Sequence, residues 1–427
     1  MTLAPRSRLS LLVVARVLGG AAGALPPVYA ITFLDRASYG AAAADVAAAM
    51  LLCGPLGQFI NQGYMRDALA AGRTGHSGPP AGAFLVHLFA TLVVAAMALA
   101  AGTGVLAAPD ACLVGGMSLF YLASRIQESH LIAAGRQLGA VVLVFILPPT
   151  LTCLFMAALQ LAGMQDHFSV VAIGQLLAAL VSVAAGAIRD PAYLGRLKYP
   201  RAPRTRDEWR SEGSAIVVFI THGAFLSAAE QVPVIALRLL GHSDVIPGFE
   251  LARKIASVPG VIVHALFMQT VPRMIDAAHD CDWAALKAII RRYTVRLATL
   301  GLVYALGAAA ALALLQRFGI AANTLPLGLA APLLAAAVIG ATAAPFGGAS
   351  LALRGEKWWV AGGGLGLAVE CAVAFGVTAV AGPNAVAWAV LGQIVILHAV
   401  IVTGTIADLA RLHGAKRFSP GAEPVEP

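Results

Sequence analysis

"GFELARKIASVP", Gly248 to Pro259, sets Glu250, Arg253 and Lys254 inside a stretch, 245–271, that is otherwise apolar enough to cross a bilayer. A charged side chain turned toward lipid costs about 2.5 kcal/mol or more. Three in one span therefore have to face protein or a water-filled cavity, and the segment reads as a helix lining the interior of a membrane bundle. Arg253 and Lys254 follow Glu250 by three and four residues, so at least one shares its helix face. Two roles fit: an ion pair that only neutralises Glu250, or a cavity site in which Glu250 balances a surplus cation until substrate arrives. The surplus of two cations over one carboxylate favours the second.

The remaining sequence supplies the bundle. Of the 427 residues, 59% are hydrophobic and 12% charged, with a mean hydropathy of +0.82, against roughly 25% charged in a soluble domain. A crossing takes about 20 mainly apolar residues, and about twelve such stretches are read: 9–34, 41–62, 82–107, 111–131, 139–162, 168–188, 214–240, 245–271, 294–316, 326–353, 358–381 and 385–406. Lipid offers backbone groups no partners, and the alternating pattern of a barrel strand is absent, so the spans are expected to be helices. The composition thus predicts one all-α polytopic membrane protein rather than several soluble domains.

Basic residues set the orientation, because lysine and arginine in short loops favour the cytoplasmic side. Most of the 29 gather in alternate loops and the span ends beside them: Arg6 and Arg8, Arg66 and Arg73, Arg125 and Arg136, the run Arg189 to Arg210, the run Arg273 to Arg296, Arg354 and Lys357, and Arg411 to Arg417. The other loops keep only Arg36 and Arg317, and Arg16, Arg238, Arg253 and Lys254 stay within spans. Both termini are therefore expected to be cytoplasmic, and the net charge of +8 reflects topology rather than a nucleic-acid footprint. "VYA" at Val28 to Ala30 loosely resembles a signal-peptide cleavage site, but the apolar run continues to Leu34 and reads as a retained span.

A long polar loop, 189–213, divides the chain into two six-helix lobes, 1–188 and 214–410, followed by a cytoplasmic tail, 411–427. Each lobe opens with a span, a very short outer turn and a second span carrying ionisable groups, which points to related halves of the kind transporters use, with the substrate site between them near the midplane. Pro26-Pro27 and Pro148-Pro149 are candidate helix breaks, since proline lacks the N–H and crowds the preceding turn. In "PRMIDAAHDCDWAALKAIIRRY", Pro272 to Tyr293, Asp282 can cap a helix whose Trp283, Leu286, Ile289, Ile290 and Tyr293 recur at helical spacing. The segment reads as an amphipathic helix lying on the cytoplasmic face, with a plain extension of span nine as the other reading.

Several classes are excluded. No GxxxxGK[ST], HExxH or GxSxG is present, so neither an ATP-driven engine nor a familiar hydrolase site is encoded, and no enzyme is expected. "GGGLG", Gly362 to Gly366, lies within a span and reads as a close helix contact rather than a nucleotide loop. The five cysteines form no CxxC pair, and His87, His222, His264 and His398 read as helix-packing residues.

The residues now quoted resemble a known family. "LDRASYG" (Leu34 to Gly40) before "AAAADVAAAMLLCGPLGQFINQGYMRDAL" (Ala41 to Leu69), and "GFELARKIASVPGVIVHALFMQTVPRMIDAAHDCDWAALKAIIRRY" (Gly248 to Tyr293), are similar to segments of the polysaccharide or lipid-linked oligosaccharide flippases of the multidrug/oligosaccharidyl-lipid/polysaccharide exporter superfamily. "ARVLGG" (Ala15 to Gly20) and "ELARKIASVP" (Glu250 to Pro259) also resemble the first and eighth helices of lipid II flippases, whose basic residues there face a central cavity. "AAE", Ala228 to Glu230, stands where relatives often carry Asp, which leaves the ion-coupling role open.

The resemblance implies a transporter that flips a polyprenyl-pyrophosphate-linked oligosaccharide across a bacterial cytoplasmic membrane during O-antigen, capsule or exopolysaccharide synthesis, alongside polymerase and glycosyltransferases. An anionic pyrophosphate leaving water needs fixed cations, for which Arg253 and Lys254 are the first candidates. Arg16, roughly 10 Å into span one at 1.5 Å per residue, is the third; Arg238 can snorkel outward. Asp45, Glu230, Glu250 and Glu370 are intramembrane carboxylates and candidates for charge balance or for coupling to protons or sodium. No cofactor is expected. A cation-coupled multidrug exporter of the same fold is the second reading, and a membrane component of polysaccharide assembly or glycosyl transfer the third.

Overall fold

The structure, a computed structural model, describes residues 5–74, 82–104, 107–133, 136–189, 206–318, 327–353 and 355–418. The basic segment 190–205, the tail from 419, and the side chains of His87, His222 and His264 lie outside what is described. Among the described residues there is no strand, and helices cover all twelve expected spans. Eight are long and apolar enough by length and composition to cross a membrane.

The first half comprises α1 (Pro5–Gly23), α2 (Leu25–Phe33), α3 (Arg36–Thr74), α4 (Gly82–Gly102), α5 (Ala108–Ala133), α6 (Gln137–Val141), α7 (Leu147–Leu161) and α8 (His167–Arg189). The second comprises α9 (Arg206–Leu239), α10 (Ile246–His279), α11 (Trp283–Arg317), α12 (Leu327–Ala352), α13 (Glu356–Cys371), α14 (Thr378–Ala381) and α15 (Ala385–Phe418). Spans one, five and eleven are broken, and prolines explain two of the breaks. Pro26 and Pro27 begin α2, so the carbonyls of Ala22 and Gly23 lose their helical donors. Pro148 and Pro149 begin α7 just after a π-helical turn, Val142–Ile146. A second π segment, Ala372–Val377, interrupts span eleven directly after Cys371.

Several helices outrun their apolar stretches on the basic side: α3 continues to Thr74, α9 starts at Arg206 rather than 214, and α15 reaches Phe418. The segment after span eight corrects one expectation. Asp282 does cap a helix, accepting from Ala285 N at 2.9 Å, but that helix runs without a break from Trp283 to Arg317. Its apolar face, Leu286 and Ile290, packs on Met274, Ala277, Ala349 and Leu409. The amphipathic stripe is satisfied by neighbouring helices, and the plain extension of span nine is what forms.

Small residues set how closely the helices pack. The alanine run of α3 is buried against α5 and α9, and the main core cluster runs across the seam from Tyr39 and Ala43 to Leu237, Ile246 and Phe249. Gly362 and Gly366 face α15, where β-carbons would sit 2.9 Å from the carbonyl oxygens of Leu397 and Gln393, so the expected close contact is present. The first helices of each half pack reciprocally: α1 lies on α10, and α3 on α9. Large apolar side chains such as Leu161, Ile188, Val303 and Val380 point outward, where lipid rather than water is the fitting neighbour. His398 packs as expected, its Nδ1 donating to the Ile394 carbonyl at 2.9 Å.

Candidate functional site

The charged residues of the opening stretch lie on α10 at the seam between the halves. Tyr39, fully enclosed at the start of α3, donates to Glu250 Oε2 at 2.9 Å. Glu250 Oε1 is 4.0 Å from Arg253 Nη2. Arg253 also donates through Nη1 to the backbone carbonyl of Glu230 on α9. Pro233, within α9, lacks the N–H that would serve the neighbouring carbonyl of Ala229. Arg253 thus has partners on two helices and caps Phe249 at 5.9 Å from the ring centre.

Lys254 is placed differently. Its ammonium lies against Gly23 at the end of α1, where a β-carbon would be 3.5 Å from Cε and from Nζ. The carbonyls freed by Pro26 and Pro27 are at this point. No carboxylate is within ion-pair distance of Lys254 among the described residues, although Glu250 and Glu230 are within electrostatic reach.

Seven residues earlier on α1, about 10 Å along the helix at 1.5 Å per residue, Arg16 stacks over Phe145 at 5.8 Å. Phe145 belongs to the π-helical turn. Glu128 is within electrostatic reach, but Glu128 is held by Arg125 at 2.7 Å, and the buried Nε of Arg16 has no hydrogen-bond partner among the described residues. Arg125 in turn lies over the Tyr121 ring at 4.9 Å. Both cations without carboxylate partners therefore sit beside a helix break, where backbone geometry is irregular and the protein lines itself rather than lipid.

The carboxylates divide into three environments. Glu250 is tied as described. Glu230 is exposed. Glu370 on α13 is 0% exposed, neither oxygen has a hydrogen-bond partner among the described residues, and Arg253 is within its electrostatic reach. Asp45 is elsewhere: its carboxyl lies near that of Asp110 on α5 and within electrostatic reach of Arg238 on α9, and its buried Oδ2 has no hydrogen-bond partner among the described residues. Arg238 does not reach outward alone but donates to Ser243 Oγ at 3.3 Å.

The structure thus brings Glu230, Glu250, Arg253, Lys254 and Glu370 into one cluster, sets Arg16 on its edge, and keeps Asp45 apart. It also adds Tyr39, Tyr121, Arg125 and Glu128. Tyr39 stood inside the quoted turn without a role. Arg125 and Glu128 carry a local signal in their three-residue spacing, but by charge alone Arg125 reads as a cytoplasmic span end. With these included, the excess of cations over Glu250 alone disappears: Arg16, Arg125, Arg253 and Lys254 share the seam with Glu128, Glu230, Glu250 and Glu370.

No protein-family profile and no curated protein matches this chain. Solved structures do. It is similar to an inward-facing multidrug resistance MATE family transporter of the MOP superfamily, at 12% identity over 96% of both chains with a TM-score of 0.61. An outward-facing MATE family transporter matches with the same TM-score, 0.61, at 14% identity over 98% of both. Lipid II flippase MurJ in an inward closed conformation matches with a TM-score of 0.62, at 12% identity over 94% of this chain and 89% of that one. Identity this low speaks for fold, and the chain has the fold of the MOP-superfamily transporters: a multi-pass membrane protein whose similar solved structures are transporters.

Proposed function

We propose that this chain flips a polyprenyl-pyrophosphate-linked oligosaccharide across a bacterial cytoplasmic membrane, for the synthesis of O-antigen, capsule or exopolysaccharide. The carrying observation is the pair Arg16 and Lys254, two cations without ion-pair partners among the described residues, one on α1 over Phe145 of the π-helical turn and the other against Gly23 at the end of α1, each beside a helix break. An anion crossing the bilayer core needs such fixed donors, since lipid supplies none. Arg253, already bonded to Glu250 and to the Glu230 carbonyl, serves mainly to hold α10 to α9. Polymerase and glycosyltransferases would act on either side of this step, and both termini would be cytoplasmic.

A cation-coupled multidrug exporter is the second reading, favoured by the partnerless carboxyl of Glu370 and the exposed one of Glu230. The test is reconstitution into liposomes with a fluorescent polyprenyl-pyrophosphate oligosaccharide and, separately, a cationic dye. Protein-dependent exposure of the glycan to an external lectin supports flipping. Dye movement without glycan exposure overturns it in favour of the exporter.

A further inference from the structure

At the end of α11 where its basic residues gather, a groove of about 470 Å³ opens between α11, α12 and α15. Its wall is apolar, made chiefly by Phe346, Ile406 and Leu409, and its rim carries Lys287 and Arg291, with no carboxylate among the lining residues. Lys287, Arg291 and Thr294 recur at four and three residues and so share one face of α11. Thr294 has an unusual hydroxyl. In the helices of this chain threonines turn back to their own backbone: Thr299 to Val295 O at 2.9 Å, Thr342 to Val338 O at 2.7 Å, Thr405 to Ile401 O at 2.7 Å. Thr294 Oγ1 is buried and has no hydrogen-bond partner among the described residues.

We infer that this groove seats one anionic phospholipid of the adjoining leaflet, its phosphate held by Lys287 and Arg291, with the Thr294 hydroxyl joining only by turning out of its buried position, and an acyl chain laid along Phe346, Ile406 and Leu409. Charge complementarity and shape argue together. A basic rim alone would collect any anion, and an apolar wall alone any tail, but only an amphiphile with an anionic head satisfies both. Ile406 is exposed beside the groove, so a chain can enter sideways from the bilayer. The inference does not depend on what the protein transports.

Native mass spectrometry of the purified full chain, offered equal amounts of dioleoyl phosphatidylglycerol and dioleoyl phosphatidylcholine, tests it. One tightly retained phosphatidylglycerol is expected, preferred by about tenfold, because the choline cation offsets the phosphate charge beside Lys287 and Arg291 whereas glycerol leaves the head group anionic. Lys287→Gln with Arg291→Gln, at exposed positions, should erase the preference. Ile406→Trp should displace the lipid while leaving the melting profile unchanged. Equal retention of the two lipids by the unaltered protein, or a preference that survives Lys287→Gln/Arg291→Gln, overturns the inference. So does displacement of the lipid by millimolar glycerol 3-phosphate, which would mark a site for free phosphate only.

Discussion

The Tyr39 hydroxyl donates to Glu250 Oε2 at 2.9 Å across 211 residues of chain, and so ties the start of α3 in one half to α10 in the other. Transport by alternating access needs the halves to part on one side at a time. A bond of this kind, buried and made to a carboxylate, belongs to the arrangement in which they touch here.

Tyr39→Phe should therefore loosen that arrangement without unfolding the helices. A hydrogen bond to a charged group contributes about 2 kcal/mol, some thirtyfold in population. Spin labels at Ala37 and Asp244, both exposed, would show a longer mean distance or a second population in the variant. An unchanged distance distribution would mean that the bond contributes nothing to holding the halves together.

Two glycines of α3 meet the second half, and they predict different rescue. A β-carbon on Gly40 would collide with the Ser243 carbonyl, whereas one on Gly54 would collide with the Ser227 side chain. Gly54→Ala should impair transport and be restored by Ser227→Gly. Gly40→Ala should resist repair by any substitution at Ser243, since the obstacle there is backbone. Transport measured at matched protein levels distinguishes the two.

Arg16→Ala and Lys254→Ala should insert normally and lose about thirtyfold in apparent substrate affinity, the equivalent of roughly 2 kcal/mol. Arg317→Ala, at the opposite end of its helix from the basic rim, should be nearly silent. Neutral replacement of Glu250, Arg253 and Lys254 together separates the two roles of the cluster. If glycan flipping recovers in that triple variant, these charges serve the helix and not the substrate.

Glu370→Gln keeps shape and removes the charge. Coupling through this buried group predicts that the variant still binds substrate but transports without regard to a proton or sodium gradient. Transport that follows the gradient as before would release Glu370 from any coupling role.

Outside the membrane, Asp35 is held below its ordinary value of 3.8 by the hydroxyl and the N–H of Ser38. A depressed carboxylate stabilises above its unfolded value, and that contribution disappears as pH falls through the folded value, here in the acid range below 3.8. Asp35→Ala should lower stability at neutral pH by about 1 kcal/mol, the usual effect of losing a helix cap. The difference in melting between the two proteins should shrink on acidification through that range.

Much of this architecture is local and was readable from composition and spacing. A long apolar run reads as a helix in lipid, and helices cover all twelve stretches that hydropathy marked, eight of them, among the described residues, long and apolar enough to cross a membrane. Pro26-Pro27 and Pro148-Pro149 break helices wherever they stand, because the missing N–H is a property of the residue. Gly362 and Gly366, four apart, announced a close helix contact. The three charges of "GFELARKIASVP" announced an interior-facing helix, because lipid would not tolerate them.

Pairing was decided only by the tertiary structure. Helical period shows that Leu286 and Ile290 share a face, but not whether membrane or protein covers it; Met274, Ala349 and Leu409 cover it here. Counting charges within one helix made Glu250 the sole carboxylate beside Arg253 and Lys254, while folding brought Glu230 and Glu370 from α9 and α13 and left Lys254 facing Gly23 rather than an acid. A charge falls off with distance in space, and distances in space between α1, α3, α9, α10 and α13 are set by where alanines and glycines let backbones approach. The sequence therefore determined that charges would be buried at the seam, and packing determined which of them were left without partners.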